Sequence, residues 1–175
     1  MPDYTDLLAS GENPSGTKQV VYFAPIGTFD TLEKPGGLDA AALADVAVIS
    51  TDHVFKSGGK FYKLELEINK NEFNSEYQGA IRGNADKQIF TGLIPNLSAD
   101  QLGILRKLRN ERLIALIPLA DGQHLQLGEE DNPAMLSDNF GSGTQEGGER
   151  GAVITITAYG YKALYTGAVS FTAAV

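Results

Sequence analysis

The chain contains no cysteine, no tryptophan and two histidines in 175 residues. Without a thiol there is no cysteine nucleophile, no cysteine-ligated zinc, no iron–sulfur cluster and no disulfide scaffold, and the redox compartment is left open. Basic residues are scarce as well: 14 Lys and Arg stand against 22 Asp and Glu, giving a net charge of −8 and a pI near 4.7. Phosphate binding needs clustered Lys and Arg, so this balance argues against a general nucleic-acid-coating surface. Long apolar runs are missing too. Leu113 to Ile117 and Ala40 to Ile49 fall short of the ~18 residues of a membrane span, and Met1-Pro2-Asp3-Tyr4 lacks the basic and apolar regions of a signal peptide. The expectation is a soluble chain not exported by a cleavable signal.

What is present is a globular composition, 42% hydrophobic and 21% charged. A chain of this length buries roughly 70% of the surface of its unfolded form, enough for a core without disulfides or a structural metal. The 20 glycines, about 11% against a usual ~7%, fall mostly between β-like runs as turn punctuation. The expected organisation is an N-terminal arm over residues 1–17, which shows no sustained period, followed by a single β-rich domain over 18–175.

Within that domain the first strand is expected over Lys18 to Ala24. A long Gly/Pro loop over 25–38 follows, and 40–51 is ambiguous, reading as a short helix capped near Asp39 that passes into a strand over Val46 to Thr51. Phe61 to Asn69, FYKLELEIN, alternates strictly. Leu64, Leu66 and Ile68 take one face and Lys63, Glu65, Glu67 and Asn69 the other, the mark of a strand with one wet side. Extended runs over Glu72 to Arg82 and Lys87 to Ile94, turned at Gly83-Asn84-Ala85-Asp86, then predict one long antiparallel hairpin over about 61–94. Ser98 with Gln101 three residues on makes a capping box for a helix over 99–110, with Leu102, Ile104, Leu105 and Leu108 as its apolar stripe. LIALIPL over Leu113 to Leu119 predicts a strand buried on both faces, and Asp121-Gly122 a type I′ hairpin turn returning over Gln123 to Gly128. A Gly-rich connector over 141–151 precedes terminal strands over Ala152 to Ala158 and Ala163 to Ala173.

Chemistry has few places to reside. His53 lies beside Asp52, but no G-x-S-x-G elbow supplies a serine, so His53 reads as a turn residue with its polar atoms satisfied. His124 follows the Asp121-Gly122 turn and reads as a strand residue with one face in solvent. Glu129-Glu130-Asp131, with Asp121 and Asp138, lacks the spacing of a calcium loop and reads as a solvated acidic segment. Gly141-Ser142-Gly143 is not followed by Lys-Ser or Lys-Thr and reads as a joint, not a phosphate cradle. Asn96-Leu97-Ser98 matches a glycosylation acceptor, but its Ser is the helix cap. Phe73, Tyr77 and Phe90 fall in sheet runs and read as cross-strand packing. The expectation is a protein with no catalytic residues, no cofactor and no metal. Long two-faced strands and Gly/Pro-rich loops instead suit a subunit that contacts copies of itself.

The run from Phe90 to Leu136, with its capped helix over Ser98 to Arg109, its buried strand, its Asp121-Gly122 hairpin, Leu127-Gly128 and Asn132-Pro133-Ala134, is followed by the Gly-rich 141–148 and the strand opening at Arg150-Gly151. This order resembles the structural proteins of tailed bacteriophages and prophages, especially those of Bacteroidetes hosts, over roughly residues 60–175. The best match of role within that group is the tail tube protein. The resemblance implies a β-sandwich or split barrel flanked by a helix, and hexameric rings whose strands close into a continuous inner barrel. Phage DNA passes through that barrel without specific binding. It implies as partners the chain itself and other tail proteins, with no membrane, in a virion tail assembled in the bacterial host cytoplasm. Lys63, Glu65, Glu67 and Asn69 are the expected lumen-facing residues. Residues 1–17, 25–38 and 139–150 are candidates for contacts between rings. Two rival functions remain: a capsid decoration or head–tail connector protein, and a monomeric carbohydrate- or ligand-binding β-sandwich.

Overall fold

The structure, a computed structural model, describes residues 16–79, 85–95, 98–143 and 150–174. Along the chain the strands are β1 (Val20–Pro25), β2 (Phe29–Thr31), β3 (Val48–Ile49), β4 (Val54–Phe55), β5 (Tyr62–Glu65), β6 (Glu72–Gln78) and β7 (Ala85–Pro95). The helix α1 (Ala99–Leu108) follows, then β8 (Leu113–Pro118), β9 (His124–Leu127), β10 (Met135–Gly141), β11 (Gly151–Gly160) and β12 (Ala163–Tyr165). The fold is mainly β, with one α-helix among the described residues. A six-stranded sheet has the order β3-β12-β9-β8-β1-β5, a four-stranded sheet the order β10-β11-β7-β6, and β2 pairs with β4. All pairings are antiparallel except β12 with β3.

The two larger sheets pack face to face around one core. Val21, Phe23, Leu64, Leu113, Ala115 and Ile117 from the six-stranded sheet meet Phe90, Ile94, Ala152, Ile154, Ile156 and Ala158 from the four-stranded one, with Leu105 and Leu108 of α1. The opposite face of the six-stranded sheet carries a second core of Ala24, Ile49, Phe61, Ile114, Leu116 and Tyr165, with Phe29 from the β2 segment. This explains why β8 has no wet side: its odd residues enter the first core and Ile114 and Leu116 the second, as a continuous apolar run requires. The four-stranded sheet is covered on one face only, so β11 alternates buried Ile154 and Ile156 with outward Val153, Thr155 and Thr157.

The capping box forms as expected. The Ser98 hydroxyl accepts from the Gln101 amide at 3.2 Å, and the Ser98 amide donates to Gln101 Oε1 at 2.8 Å. The apolar stripe is narrower than expected: Leu105 and Leu108 are buried, whereas Leu102 and Ile104 are 48% and 42% exposed. The helix stops at Leu108, because Arg109 is extended and Asn110 takes φ +66. The segment 40–51 resolves into a 3₁₀ turn over Leu43–Val46 followed by β3.

Four further expectations are corrected. The run 61–94 is not one hairpin: β5 pairs with β1 in the six-stranded sheet, and only β6 and β7 form a hairpin, in the four-stranded sheet. The alternation of FYKLELEIN also ends early, since the chain turns at Ile68 and Asn69, with Asn69 at φ +57 and Ile68 59% exposed. The Asp121-Gly122 turn is not type I′. That type needs positive φ at both central residues, and here Gly122 (φ +92) has it while Asp121 does not. The Gly122 amide bonds to the Leu119 carbonyl and the Leu119 amide to the Gln123 carbonyl, the pattern of a three-residue loop with a glycine bulge. Finally, the last strand ends at Tyr165 instead of Ala173, and β10 forms where only a loop segment was expected.

Of the arm over 1–17, residues 1–15 lie outside the described residues, as do Gly83 and Asn84, Asn96 and Leu97, and 144–149 of the connector. Thr17 bridges to Leu119, and the Gly16 carbonyl accepts from the Ala120 amide, so Gly16 and Thr17 are bonded to the β-rich domain.

Candidate functional site

His53 is buried at the centre of an aromatic group. Its ring stacks on Tyr165 with centroids 4.5 Å apart and meets Phe29 edge-on at 5.6 Å. The Glu33 amide donates to Nδ1 at 3.1 Å, which leaves the proton on Nε2, and Nε2 donates to Gln126 Oε1 at 2.8 Å. Gln126, itself buried, donates onward to the Gly128 carbonyl. The Tyr165 hydroxyl donates to the Ala168 carbonyl at 2.9 Å and accepts from the His53 amide at 3.3 Å. Burial is the main cause holding the His53 pKa below its ordinary value, against upward pulls from the Gln126 bond and the carboxylates of Glu33 and Asp52. The Asp52 carboxylate accepts from the Ala168 amide at 2.7 Å, so no Asp–His pairing of the catalytic kind is built. His53 acts as a cross-brace between the 29–35 segment, β9 and the stretch after β12, consistent with its reading as a satisfied residue. His124 is half-buried beside Tyr22, with its pKa lowered by burial and then by Lys18.

The acidic residues are dispersed into structural roles. Glu129 accepts from Asn132 at 2.8 Å, Lys34 approaches Glu130 and Asp131 at 3.3 and 3.9 Å, and Asp121 accepts from the Gln123 amide at 2.9 Å. Asp138 sits on β10. Among the described residues no three His, Asp or Glu side chains come together in an arrangement that could hold a metal ion. Burial, then the charge of Glu129 and a hydrogen bond to it, then Asp131, push the Tyr161 hydroxyl well above the usual phenol range. No helix among the described residues is long and apolar enough to cross a membrane.

The residues expected on a lumen wall do not share one surface. Lys63 and Glu65 lie on β5, the edge of the six-stranded sheet, and the Lys63 ammonium sits 4.1 Å over the Phe171 ring. Glu67 and Asn69 lie in the following crossing, outside any strand. Phe73 and Phe90 are direct cross-strand partners, as read, but Tyr77 is 73% exposed with the Lys162 ammonium over its ring.

The open surface that sequence reasoning missed is the outward face of the four-stranded sheet. The register places Ser137 and Asn139 of β10, Thr155 and Thr157 of β11, Thr91 of β7, and Glu72 and Asn74 of β6 on that face. The same register adds Met135, Val153, Tyr159 and Ile89 to it, with Lys87 paired to Glu76 at 3.4 Å, so hydroxyls and amides are interspersed with apolar side chains and a few charges. Both edges of this sheet, β6 and β10, are seven residues long, and within it each has a partner on one side only. The signal was present in ITIT of β11, where Thr alternates with Ile, but the same alternation in FYKLELEIN was more conspicuous. No protein-family model, no curated protein and no solved structure matches this chain.

Proposed function

We propose that this protein is a self-assembling structural subunit of a phage tail tube, whose copies form stacked rings around a channel for DNA. The observation that carries the reading is the four-stranded sheet with its open face and its two edge strands, which among the described residues each pair within it on one side only. Because β10, β11, β7 and β6 alternate in direction, β6 of one copy meets β10 of the next antiparallel, and every added copy preserves the alternation. Closure of such a ring removes both edges of this sheet, which is how β-proteins avoid uncontrolled pairing. Six copies, the number the resemblance implies, contribute roughly 24 strands. At ~4.8 Å spacing and a tilt near 40° that is a barrel about 45–50 Å across, with an open channel.

In this reading the lumen wall is the face bearing Thr155, Thr157, Thr91 and Asn74 instead of Lys63 and Glu65. On that face Lys87 is paired with Glu76 at 3.4 Å and Glu72 adds a negative charge, so a chain of net charge −8 offers phosphate little cationic grip there, as a conduit requires. The experiment is negative-stain electron microscopy of concentrated protein with light scattering for mass. Tubes or rings with a central channel are expected. A trimer or a single ring without tubes indicates the decoration or connector role, and a monomer at every concentration overturns the tube reading.

A further inference from the structure

The segment 106–112 is electrically unlike the rest of the molecule. Arg106, Lys107, Arg109 and Arg112 against Glu111 give it +3, so the remainder of the chain carries −11. All four cations are exposed, and among the described residues none has a carboxylate within ion-pair reach. Compensation of the helix dipole accounts for cations in the last turn of α1, but not for Arg112, which lies beyond the helix. Lys107, with Lys63 and Glu111, rims a groove of about 410 Å³ between α1 and the β1–β5 edge, lined by the apolar Phe23, Leu64 and Leu108 and the half-exposed Tyr62 and Ile104, and Arg106, Arg109 and Arg112 lie beside it on the same segment. An apolar hollow with a charged rim has the anatomy of a protein–protein contact.

We infer that the end of α1 and this groove form a docking surface for a second copy of this chain, which seats one of its acidic surfaces against the four cations. The inference rests on the self-assembly proposed above and adds a contact separate from the strand edges. Charge complementarity selects the occupant: outside 106–112 the chain carries −11, so a second copy approaches a patch of +3 with net attraction. Such a contact weakens with salt, because the screening length falls from about 10 Å at 0.1 M to much less at higher ionic strength. Ile104 and Tyr62 supply the apolar part of the contact, which salt does not screen.

The test is sedimentation velocity of the full chain in about 50 and about 500 mM NaCl, with folding checked by circular dichroism. Four proteins are compared: wild type, the charge-removed Arg106→Gln/Lys107→Gln/Arg109→Gln, the uncharged groove variant Ile104→Ser, and a control of equal net charge, Ser50→Asp/Gln123→Glu/Thr172→Asp. Wild type and control are expected to associate alike at low salt. The charge-removed and groove variants should each need about tenfold more protein to associate, the scale of an interface anchor, and the charge-removed variant should lose the salt dependence. If the charge-removed and groove variants associate like wild type, the docking surface is overturned while self-assembly stands. If the control fails together with the charge-removed variant, net charge and not this surface is responsible, and the inference is overturned. A wild type that stays monomeric under both conditions removes the self-assembly reading and this inference with it.

Discussion

Leu66 and Glu67 are neighbours in the chain and bond toward different sheets: the Leu66 amide donates to the carbonyl of Gln19, next to β1, at 3.0 Å and the Glu67 amide to the Leu93 carbonyl of β7 at 2.7 Å. In extended backbone successive amides point to opposite sides, so one peptide step suffices to leave the β1 partner and reach β7. The crossing ends at Asn69, whose φ of +57 turns the chain toward β6. Asn is among the few residues that tolerate this region. Asn69→Gly is therefore expected to leave stability within about 0.5 kcal/mol, and Asn69→Val to cost about 1–2 kcal/mol, measured by urea denaturation.

Two glycines with positive φ separate backbone strain from steric clash. At Gly122 an added Cβ meets nothing within 4 Å, whereas at Gly128 it would lie 2.6 Å from the Ala134 amide nitrogen and 2.9 Å from the Leu113 carbonyl oxygen. Gly122→Ala should cost about 1 kcal/mol, the strain alone. Gly128→Ala should cost clearly more, since backbone must shift on the β8 side, and equal losses in the two variants would show that the Leu113–Ala134 bridge yields freely.

The second core makes an ordinary prediction about an unusual strand. Leu116 is fully buried on the face of β8 away from the sandwich, and Leu102 is half-exposed on α1. Leu116→Ala should lose about 2–5 kcal/mol and Leu102→Ala less than about 1, by thermal or urea unfolding. Similar small losses would mean that the β2–β4 layer does not cover Leu116.

Stability should fall in mild acid through His53. Its folded pKa lies below the ordinary value of 6.5, so its contribution is complete above that value and declines as pH falls, because the unfolded chain takes up a proton that the folded one refuses. His124 is shifted in the same direction and adds to the effect. Unfolding free energy measured between pH 7.5 and 5 should drop for the wild type. His53→Gln should start less stable and drop less, and a parallel pair of curves would assign the pH dependence elsewhere.

The proposed ring joint can be trapped chemically, because the chain has no cysteine of its own. With Asn74→Cys on β6 and Ser137→Cys on β10, a bismaleimide that spans neighbouring strands should give a ladder of covalent oligomers. Each single variant should give none. Absence of a ladder from assembled material would mean that the copies join through other surfaces.

Local rules were enough where the cause is local. Ser98 and Gln101 specify the helix start because both partners of the capping box lie within one turn. LIALIPL could only be a doubly covered strand, because no wet face exists in it. The periodicity of FYKLELEIN correctly predicted that Leu64 and Leu66 are buried, but nothing in a period of two says which neighbour a strand pairs with. That choice was made by Gln19 and Leu93, about fifty residues to one side and about thirty to the other, through backbone bonds that carry no side-chain signature. The composition of the open face of the four-stranded sheet follows from the same cause. Thr155, Thr157, Thr91 and Asn74 come from three separate segments, and only the register of β6, β7 and β11 sets them side by side. The sequence by itself determined which residues are apolar, capped or turning. The tertiary structure decided which strands became edges, because pairing is a contest between distant segments for the same backbone donors and acceptors.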